Sequence, residues 1–469
     1  MGQAALDLVA EYYDTVPSRA VLAPTTSANL RQQLDEPAPA TGVPFAGLLD
    51  TIRDVVAKYA RHAAHPRCFG YVSSPGTPVA AIGAMIASAL TVNVTCWRSG
   101  TAAAEMELVC IRWIKEMLGY PSDAMGLLVS GGSMANFAGL AAARSAKAPG
   151  NVVTDGMSGP RMRLYVSEEA HFSNRKAAAM LGIGQANVRP VKTCPNLRMD
   201  LADLERQVLQ DRQAGHLPFC VVASLGTAGT GAVDPIGDIA DFAHAHNLWL
   251  HVDGAYGGFS ALAPSARHFF QRIGEADSIA LDPHKWLYLP VGCGCVLYRD
   301  PATARAAFSE NAEYTRVVGL KDEEAFAFWD YGPELSRPFR ALNLWLHLKT
   351  AGTIAIAEAI ENNIACARYF AGLVRATPDF EVLAPVDLSI VCFRYQPRGF
   401  TGDLDALNER ILLAVQRSGS SYLSNSRVRG AFALRACVLN YRTTQRDMEI
   451  FLDDVRAAAH AEIQAQAQA

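Results

Sequence analysis

Ser278-Ile-Ala-Leu-Asp-Pro-His-Lys-Trp286 carries an apolar run of the length of a short buried strand, and it ends on a histidine followed directly by a lysine. An ammonium is costly to take out of water, so a lysine at the end of a buried strand needs a partner or a covalent task. Two readings fit this stretch alone. In one, Lys285 snorkels out of the strand end, with its stem on apolar surface and its charge in water. In the other, it forms a Schiff base with an aldehyde cofactor, which turns the cation into part of that cofactor.

The flanking sequence decides what kind of sheet holds this strand. Short apolar runs recur at 126–129, 164–166, 219–223, 248–252 and 293–298, with helical patterns between them, as at 201–213 and 235–246. The runs are apolar throughout, as strands covered on both faces are. This alternation predicts an α/β fold over residues 78–342, a mostly parallel central sheet with helices on both faces. Residues 1–77 read as an N-terminal helical segment broken by Pro17, Pro24, Pro37, Pro39 and Pro44. Such a segment is too irregular for a core of its own and is expected to pack on a partner or on the main domain. Past residue 343 the pattern changes. A long helical pattern at 341–370 leads to strand-like runs at 380–383, 389–395 and 432–439, then to a last helix opened by Thr444 and Asp447 as a capping box. Residues 343–469 therefore read as a small C-terminal α+β domain with an antiparallel sheet.

Half of the 469 residues are hydrophobic and 19% are charged, the balance of a soluble globular protein long enough for two or three domains. The net charge is −4 with mixed signs, and no basic run is interleaved with aromatics, which argues against nucleic acid or an anionic membrane as partner. The N-terminus carries early acids and no basic region, so it reads as an amphipathic helix and not as a signal peptide. Leu6 stands where a myristoylation motif has Ser or Thr. The longest apolar stretch, 79–94, is short for a membrane span and interrupted by Gly83, Thr91 and Asn93. Ten cysteines without a CxxC pair read as reduced thiols of a cytoplasmic protein. Cys293 and Cys295 share a face but lack two further ligands at zinc spacing, and His244 and His246 do not share a helix face, so no metal site is expected.

In open α/β sheets, ligands sit beyond the carboxyl ends of the strands, and four features fall at such ends here. Ser130-Gly-Gly-Ser133 joins a strand to a helical pattern at 134–147. Its glycines let backbone N–H groups approach an anion at a helix start, which reads as a phosphate cradle; a plain N-cap turn is the alternative. In His251-Val-Asp-Gly-Ala-Tyr256, His251 and Asp253 alternate onto one face of a strand end. The carboxylate there either pairs with a protonated ring nitrogen or caps the next turn. His284-Lys285 is the third feature. His171 is the fourth; on local sequence alone it is a surface loop histidine.

A phosphate cradle, a carboxylate and a lysine at sheet ends are what pyridoxal phosphate requires. At this level the chain resembles the group II pyridoxal-phosphate-dependent amino-acid decarboxylases, the family of aromatic L-amino-acid decarboxylase, nearly end to end. The resemblance is carried by Gly70-Tyr71, by Trp97 followed by Glu105-Met-Glu107, by Ser130-Gly-Gly-Ser-Met-Ala-Asn136 and by Glu169-Ala-His-Phe-Ser173. It continues through Ala223-Ser-Leu-Gly-Thr-Ala228, His251-Val-Asp-Gly-Ala-Tyr256, Asp282-Pro-His-Lys-Trp286, Arg337-Pro-Phe-Arg340 and Asn440-Tyr-Arg-Thr-Thr444.

The resemblance implies the fold-type I architecture of pyridoxal-phosphate-dependent transferases, and decarboxylation of an L-amino acid to its amine and carbon dioxide. It implies Lys285 as the Schiff-base lysine, Asp253 as the partner of the pyridine nitrogen and His171 stacked on the ring. Gly132 and Ser133 would hold the phosphate with His284 and Asp282 assisting, while Thr227 and Ala255 line the ring. Tyr71, Val72 and Trp97 would bound the substrate. Tyr314 aligns with the tyrosine of a mobile lid that protonates Cα in the neighbouring subunit's site, which implies a homodimer. The chain departs from the family at Met134, beside the phosphate turn, and at two places that bear on the substrate: Tyr71-Val-Ser-Ser74 in place of a Tyr-Phe-Pro segment and Val291 where aromatic-specific enzymes carry Phe, two lost rings that would enlarge or reshape the side-chain pocket and tell against an aromatic substrate. Two other readings remain open: a relative that couples decarboxylation to oxidative deamination and yields an aldehyde, and a non-catalytic binding protein on the same fold. The presence of His171 and Tyr314 argues against the first, and that of Lys285 and Asp253 against the second.

Overall fold

The computed structural model describes residues 1–310, 324 and 326–468. They form two compact units: Gly76–Glu361 with Pro385–Leu388, and Met1–Pro75 with Asn362–Ala384 and Ser389–Ala469.

The larger unit is built on β1 (Met125–Val129), β2 (Met162–Ser167), β3 (Val188–Val191), β4 (Leu217–Ser224), β5 (Trp249–Gly254), β6 (Ser278–Leu281) and β7 (Gly294–Tyr298), in the order β1-β7-β6-β5-β4-β2-β3. Neighbours from β6 through β3 pair in parallel, whereas β7 is antiparallel to both β1 and β6. The mostly parallel sheet read from the sequence is the sheet that forms, with each of its expected strands in place. β7 runs backwards because only a short helix, Pro283–Trp286, and a loop separate it from β6, too little chain for a crossover. Two reversals bring β1 back into the direction of β6. The carboxyl ends of β1, β2, β4, β5 and β6 therefore share one edge of the sheet.

β3 has no counterpart in the sequence reading. Val188-Arg-Pro-Val191 contains an arginine and a proline and buries only its two end residues, so it lacks the continuous apolar signal. As the last strand beside β2 it lies at the sheet edge, where a proline costs no ladder hydrogen bond. The helical pattern at 341–370 also differs from expectation: helix spans Arg340–Ala376 but is kinked at Gly352, whose φ is +74°.

Beneath β1 lies a buried ion pair. Glu107, on the helix Thr101–Leu118, pairs with Arg337, and the two side chains are 0% and 1% exposed. Arg337 also donates to the Val94 carbonyl (2.7 Å) and the Leu128 carbonyl (2.8 Å), while Glu107 accepts from Leu128 N–H (2.9 Å). The ring of Phe328 lies 4.2 Å from the guanidinium carbon. The pair thus ties one helix and one loop to β1, just before the glycine turn that follows this strand.

The smaller unit holds β8 (Phe380–Val382), β9 (Ile390–Tyr395), β10 (Ser424–Val428) and β11 (Ala431–Cys437), antiparallel throughout in the order β10-β11-β9-β8. β10 escaped the sequence reading because Ser424-Asn-Ser-Arg-Val428 is mostly polar. The last helix opens as foreseen, with Asp447 accepting from the Thr444 N–H (2.9 Å) and hydroxyl (2.7 Å). The N-terminal segment is sewn into this unit by backbone bonds from Phe69 N–H to Tyr422 C=O (2.6 Å) and from Cys437 N–H to Phe69 C=O (2.9 Å). Among the described residues, no helix is long and apolar enough to cross a membrane.

Removing one partner of a buried pair strands the other charge away from water. Glu107→Ala is expected to destabilise the protein by about 3–5 kcal/mol in chemical denaturation, more than Glu107→Gln does. A loss below ~1 kcal/mol would show that Arg337 finds other partners.

Candidate active site

The shared carboxyl edge gathers five chain segments: the glycine turn after β1, His171 after β2, Thr227 after β4, Asp253 at the end of β5, and Asp282 to Lys285 after β6. Alternation along β5 turns His251 and Asp253 to one face, the face covered by the helix Gly132–Lys147. That helix is rich in alanine and glycine and lies close. A Cβ on Gly139 would sit 2.6 Å from His251 Cε1, so only glycine fits there.

The contact positions Asn136 between the two β5 residues. The His251 ring meets Asn136 Oδ1 through Nε2 (2.9 Å) and Ser278 Oγ through Nδ1 (2.8 Å). Burial lowers the affinity of His251 for a second proton to a value of about 4, so the ring is neutral near pH 7. An amide oxygen can only accept, so Nε2 carries the hydrogen and Nδ1 accepts from the Ser278 hydroxyl. That hydroxyl in turn accepts from Trp249 Nε1 (2.9 Å). The Asn136 amide then has two hydrogens to give, to Asp253 Oδ2 (2.9 Å) and to Ser173 Oγ (2.9 Å). Ser173 passes its own hydrogen to His171 Nδ1 (2.8 Å). One chain of bonds therefore runs from Trp249 on β5, by way of Asn136, to both Asp253 and His171.

Asp253 is 7% exposed. Besides Asn136, its carboxylate accepts from Asn174 Nδ2 (3.3 Å) and from the Ala255 N–H (3.2 Å). These donors are all neutral. A buried carboxylate held by neutral donors keeps a full charge to offer to a cation. His171 is half-buried and its affinity for a proton is lowered, first by burial and then by the charge of Lys285, with Asp253 and Asp282 acting in the opposite sense. A neutral, flat imidazole results, fixed through Nδ1 by Ser173.

Lys285 Nζ lies 2.9 Å from Asp282 Oδ2. His284 Nδ1 lies 2.8 Å from the Cys293 carbonyl, its hydrogen-bond acceptor. The glycine turn faces this group: a Cβ on Gly132 would come within 2.7 Å of Asp282 Oδ2 and 2.8 Å of Ala255 Cβ. No side chain caps the helix that begins at Gly132, and the first N–H groups of a helix lack intrahelical partners as a rule; the ladder here starts with Met134 N–H on the Gly131 carbonyl (3.0 Å).

The remaining expected residues have surroundings of their own. Thr227 is buried and shares a hydrogen bond with Thr230 (2.9 Å). Trp97 donates from Nε1 to Glu105 (2.8 Å). Tyr71 and Val72 belong to the smaller unit, where Tyr71 has φ +61° and its N–H donates to Ser424 Oγ (3.2 Å). Val291 is 86% exposed. Tyr314 lies outside the described residues. His244 sits 3.7 Å from Glu275, and His246 faces Arg212 at 3.1 Å. Among the described residues, no three His, Cys, Asp or Glu side chains are grouped to hold a metal.

Asn136, Ser173, Asn174 and Ser278 carry the network, and none was singled out for a role from the sequence. Asn136 had a signal: a lone amide on an alanine-rich helix face, one turn beyond Ser133. The residues present fit pyridoxal phosphate. The close approach of Gly132 leaves room only for backbone, Asp253 awaits a cation, and Lys285 supplies the amine.

Comparison with known proteins agrees with this chemistry. Residues 27–396 match the family model described as the pyridoxal-dependent decarboxylase conserved domain. An aromatic-L-amino-acid decarboxylase of Bacillus atrophaeus is 34% identical over 98% of this chain and 95% of its own length. The crystal structure of an Oryza sativa TDC with PLP and tryptamine superposes with a TM-score of 0.92 at 29% identity, covering 98% of this chain and 96% of that one. A 4-hydroxyphenylacetaldehyde synthase from Rhodiola rosea superposes with a TM-score of 0.89 at 27% identity, covering 98% and 97%. The chain belongs to the pyridoxal-dependent decarboxylase family: it is a pyridoxal-phosphate-dependent amino-acid decarboxylase.

Two outcomes follow from the geometry. Gly132→Ala is expected to weaken retention of pyridoxal phosphate by at least about tenfold, read by dialysis and absorbance, because the added methyl meets Asp282 and Ala255. Undiminished retention would contradict the close approach. His251 takes a proton in the unfolded chain near 6.5 but in the fold only near 4, so its contribution to stability is present above pH 6.5 and is lost as pH falls toward 4. His251→Gln is expected to flatten the fall of Tm between those values, and an unchanged slope would assign the acid sensitivity to other groups.

Proposed function

We propose that this decarboxylase acts on an aromatic L-amino acid and releases the corresponding amine and carbon dioxide. The supporting observation is the meeting, at one sheet edge, of the Gly132 turn, the clasped Asp253 carboxylate and the Lys285 amine. The 34% identity to an aromatic-L-amino-acid decarboxylase supports the substrate class.

Pyridoxal phosphate, when bound, supplies the electron sink for the pair left as the Cα–carboxylate bond breaks. Lys285 anchors the aldehyde carbon, and Asp253 keeps the pyridine nitrogen protonated. Asn136, Asn174 and the Ala255 N–H hold the Asp253 carboxylate so that it cannot turn away. His171, a neutral imidazole whose Nδ1 is fixed by Ser173, would stack on the cofactor ring. Gly132, Ser133 and His284 would hold the phosphate, with Asp282 beside them. Thr227 and Ala255 line the ring. Tyr71, Val72 and Trp97 bound the substrate, and Tyr314 gives its proton to Cα.

Residues 78–342 act as the cofactor-binding domain, 343–469 as the small domain and 1–77 as the dimerisation segment of a cytoplasmic homodimer with its sites at the subunit interface. Exposed apolar side chains on residues 1–77, among them Leu48, Ile52 and Val56, support a partner there.

Lys285→Ala is expected to remove the visible absorbance of the holoenzyme and to lower turnover at least about a thousandfold. Normal turnover in this variant would refute the anchor. A panel of amino acids followed by mass spectrometry, with ammonia and peroxide assays, tests the rest. An amine alone, from aromatic substrates, is expected. An aldehyde with ammonia and peroxide would move the protein to the second reading, which the likeness to a 4-hydroxyphenylacetaldehyde synthase keeps specific.

A further inference from the structure

Asp282 puts a carboxylate where an anion is to bind. It is 3% exposed and precedes the short helix Pro283–Trp286 without capping it through its side chain. One oxygen, Oδ2, holds Lys285 Nζ at 2.9 Å, and the same oxygen faces the Gly132 turn. The other, Oδ1, is buried without a hydrogen-bond partner among the described residues; His284 Nδ1 stands off at 3.6 Å. A neutral asparagine would fill the same space, cap no worse, and avoid setting a negative charge beside a phosphate cradle. Helix capping and phosphate binding therefore leave the charge of Asp282 unexplained. The interaction that uses the charge is the one with Lys285.

We propose that Asp282 is a lock on Lys285: a positioning residue whose ion pair holds the lysine back from aldehydes until one is seated on the glycine turn. The inference rests on the reading of Lys285 as the cofactor anchor. Attachment consumes the ammonium. One proton leaves Nζ for solvent, the freed lone pair forms the C–N bond to the aldehyde carbon, and the carbonyl oxygen departs as water with two protons. Each attachment must therefore break the Lys285–Asp282 pair. A charge-assisted bond this sheltered resists breaking. An aldehyde bound through its phosphate has time to outlast the pair, whereas a freely diffusing small aldehyde does not. The lock thus acts as a filter for phosphorylated aldehydes, a selectivity that the cradle alone supplies only through affinity.

The test uses the full-length protein freed of cofactor. Attachment of pyridoxal phosphate and of phosphate-free pyridoxal is followed by absorbance, and the modified lysine is located by mass spectrometry after borohydride reduction. Asp282→Asn is expected to attach phosphate-free pyridoxal at Lys285 roughly tenfold faster than the wild type, the change matching loss of one charge-assisted bond. Asp282→Glu, which keeps the charge, is expected to stay slow. A thermal melt confirms that each variant is folded; if the Asn form is not, Asp282→Ser makes the same measurement with a smaller side chain. A neutral variant that attaches phosphate-free pyridoxal no faster than wild type, while wild type loads pyridoxal phosphate at Lys285, overturns the lock and leaves the anchor standing. Failure of the wild type to load Lys285 at all overturns both.

Discussion

A carboxylate sealed from water survives as an anion only while something donates to it, and at Asp253 that constraint organises the surrounding structure. Three neutral donors reach it, from the helix after β1, the helix after β2 and the turn after β5. Each must arrive at a particular distance, so the packing of three segments is set by one side chain. The demand spreads outward. Asn136 can serve Asp253 only while His251 occupies its oxygen, and His251 can do so only because Gly139 brings the helix close. Burial keeps His251 neutral and thereby fixes which of its nitrogens donates. The orientation of the carboxylate thus depends on a glycine two turns along a helix and on an indole hydrogen on β5.

The same edge reconciles opposed charges. Asp253, Asp282 and Lys285 lie within the field that His171 experiences, and their effects on that ring oppose one another. Neutral imidazoles and amides fill the space between them. Such a site can accept an anion at the helix start and a cation at Asp253. Rigidity is supplied from behind by the Glu107–Arg337 pair under β1 and by small-residue helix packing, neither of which touches the reacting atoms.

Most of the larger unit was legible in the sequence because its strands are covered on both faces and so appear as unbroken apolar runs. Where burial is partial the signal fails, as for β3, with Arg189 and Pro190, and for β10, with four polar residues in a row. Lys285 and Asp253 drew notice for a related reason: a charged residue at the end of an apolar strand is costly without a partner, although each stretch alone left a second reading open and the roles came from the resemblance. Asn136, Ser173 and Ser278 gave no such warning. Small neutral polar residues are common on helix faces and in strands, and their importance comes from mutual distance, which no local window of sequence records. The kink at Gly352 was equally silent, since the apolar period on either side of it is preserved.

The smaller unit joins the first seventy-five residues to segments that lie beyond residue 361. Phe69 waits for Tyr422 and Cys437, and Asn440 closes on the carbonyls of Ala63 and His65. During synthesis the chain leaves the ribosome from its N-terminus, so the larger unit has nearly all of its sequence while the opening segment still lacks its hydrogen-bonding partners. That segment, with its apolar side chains, spends most of translation unpaired. Order of emergence and order of assembly therefore run against each other in this unit.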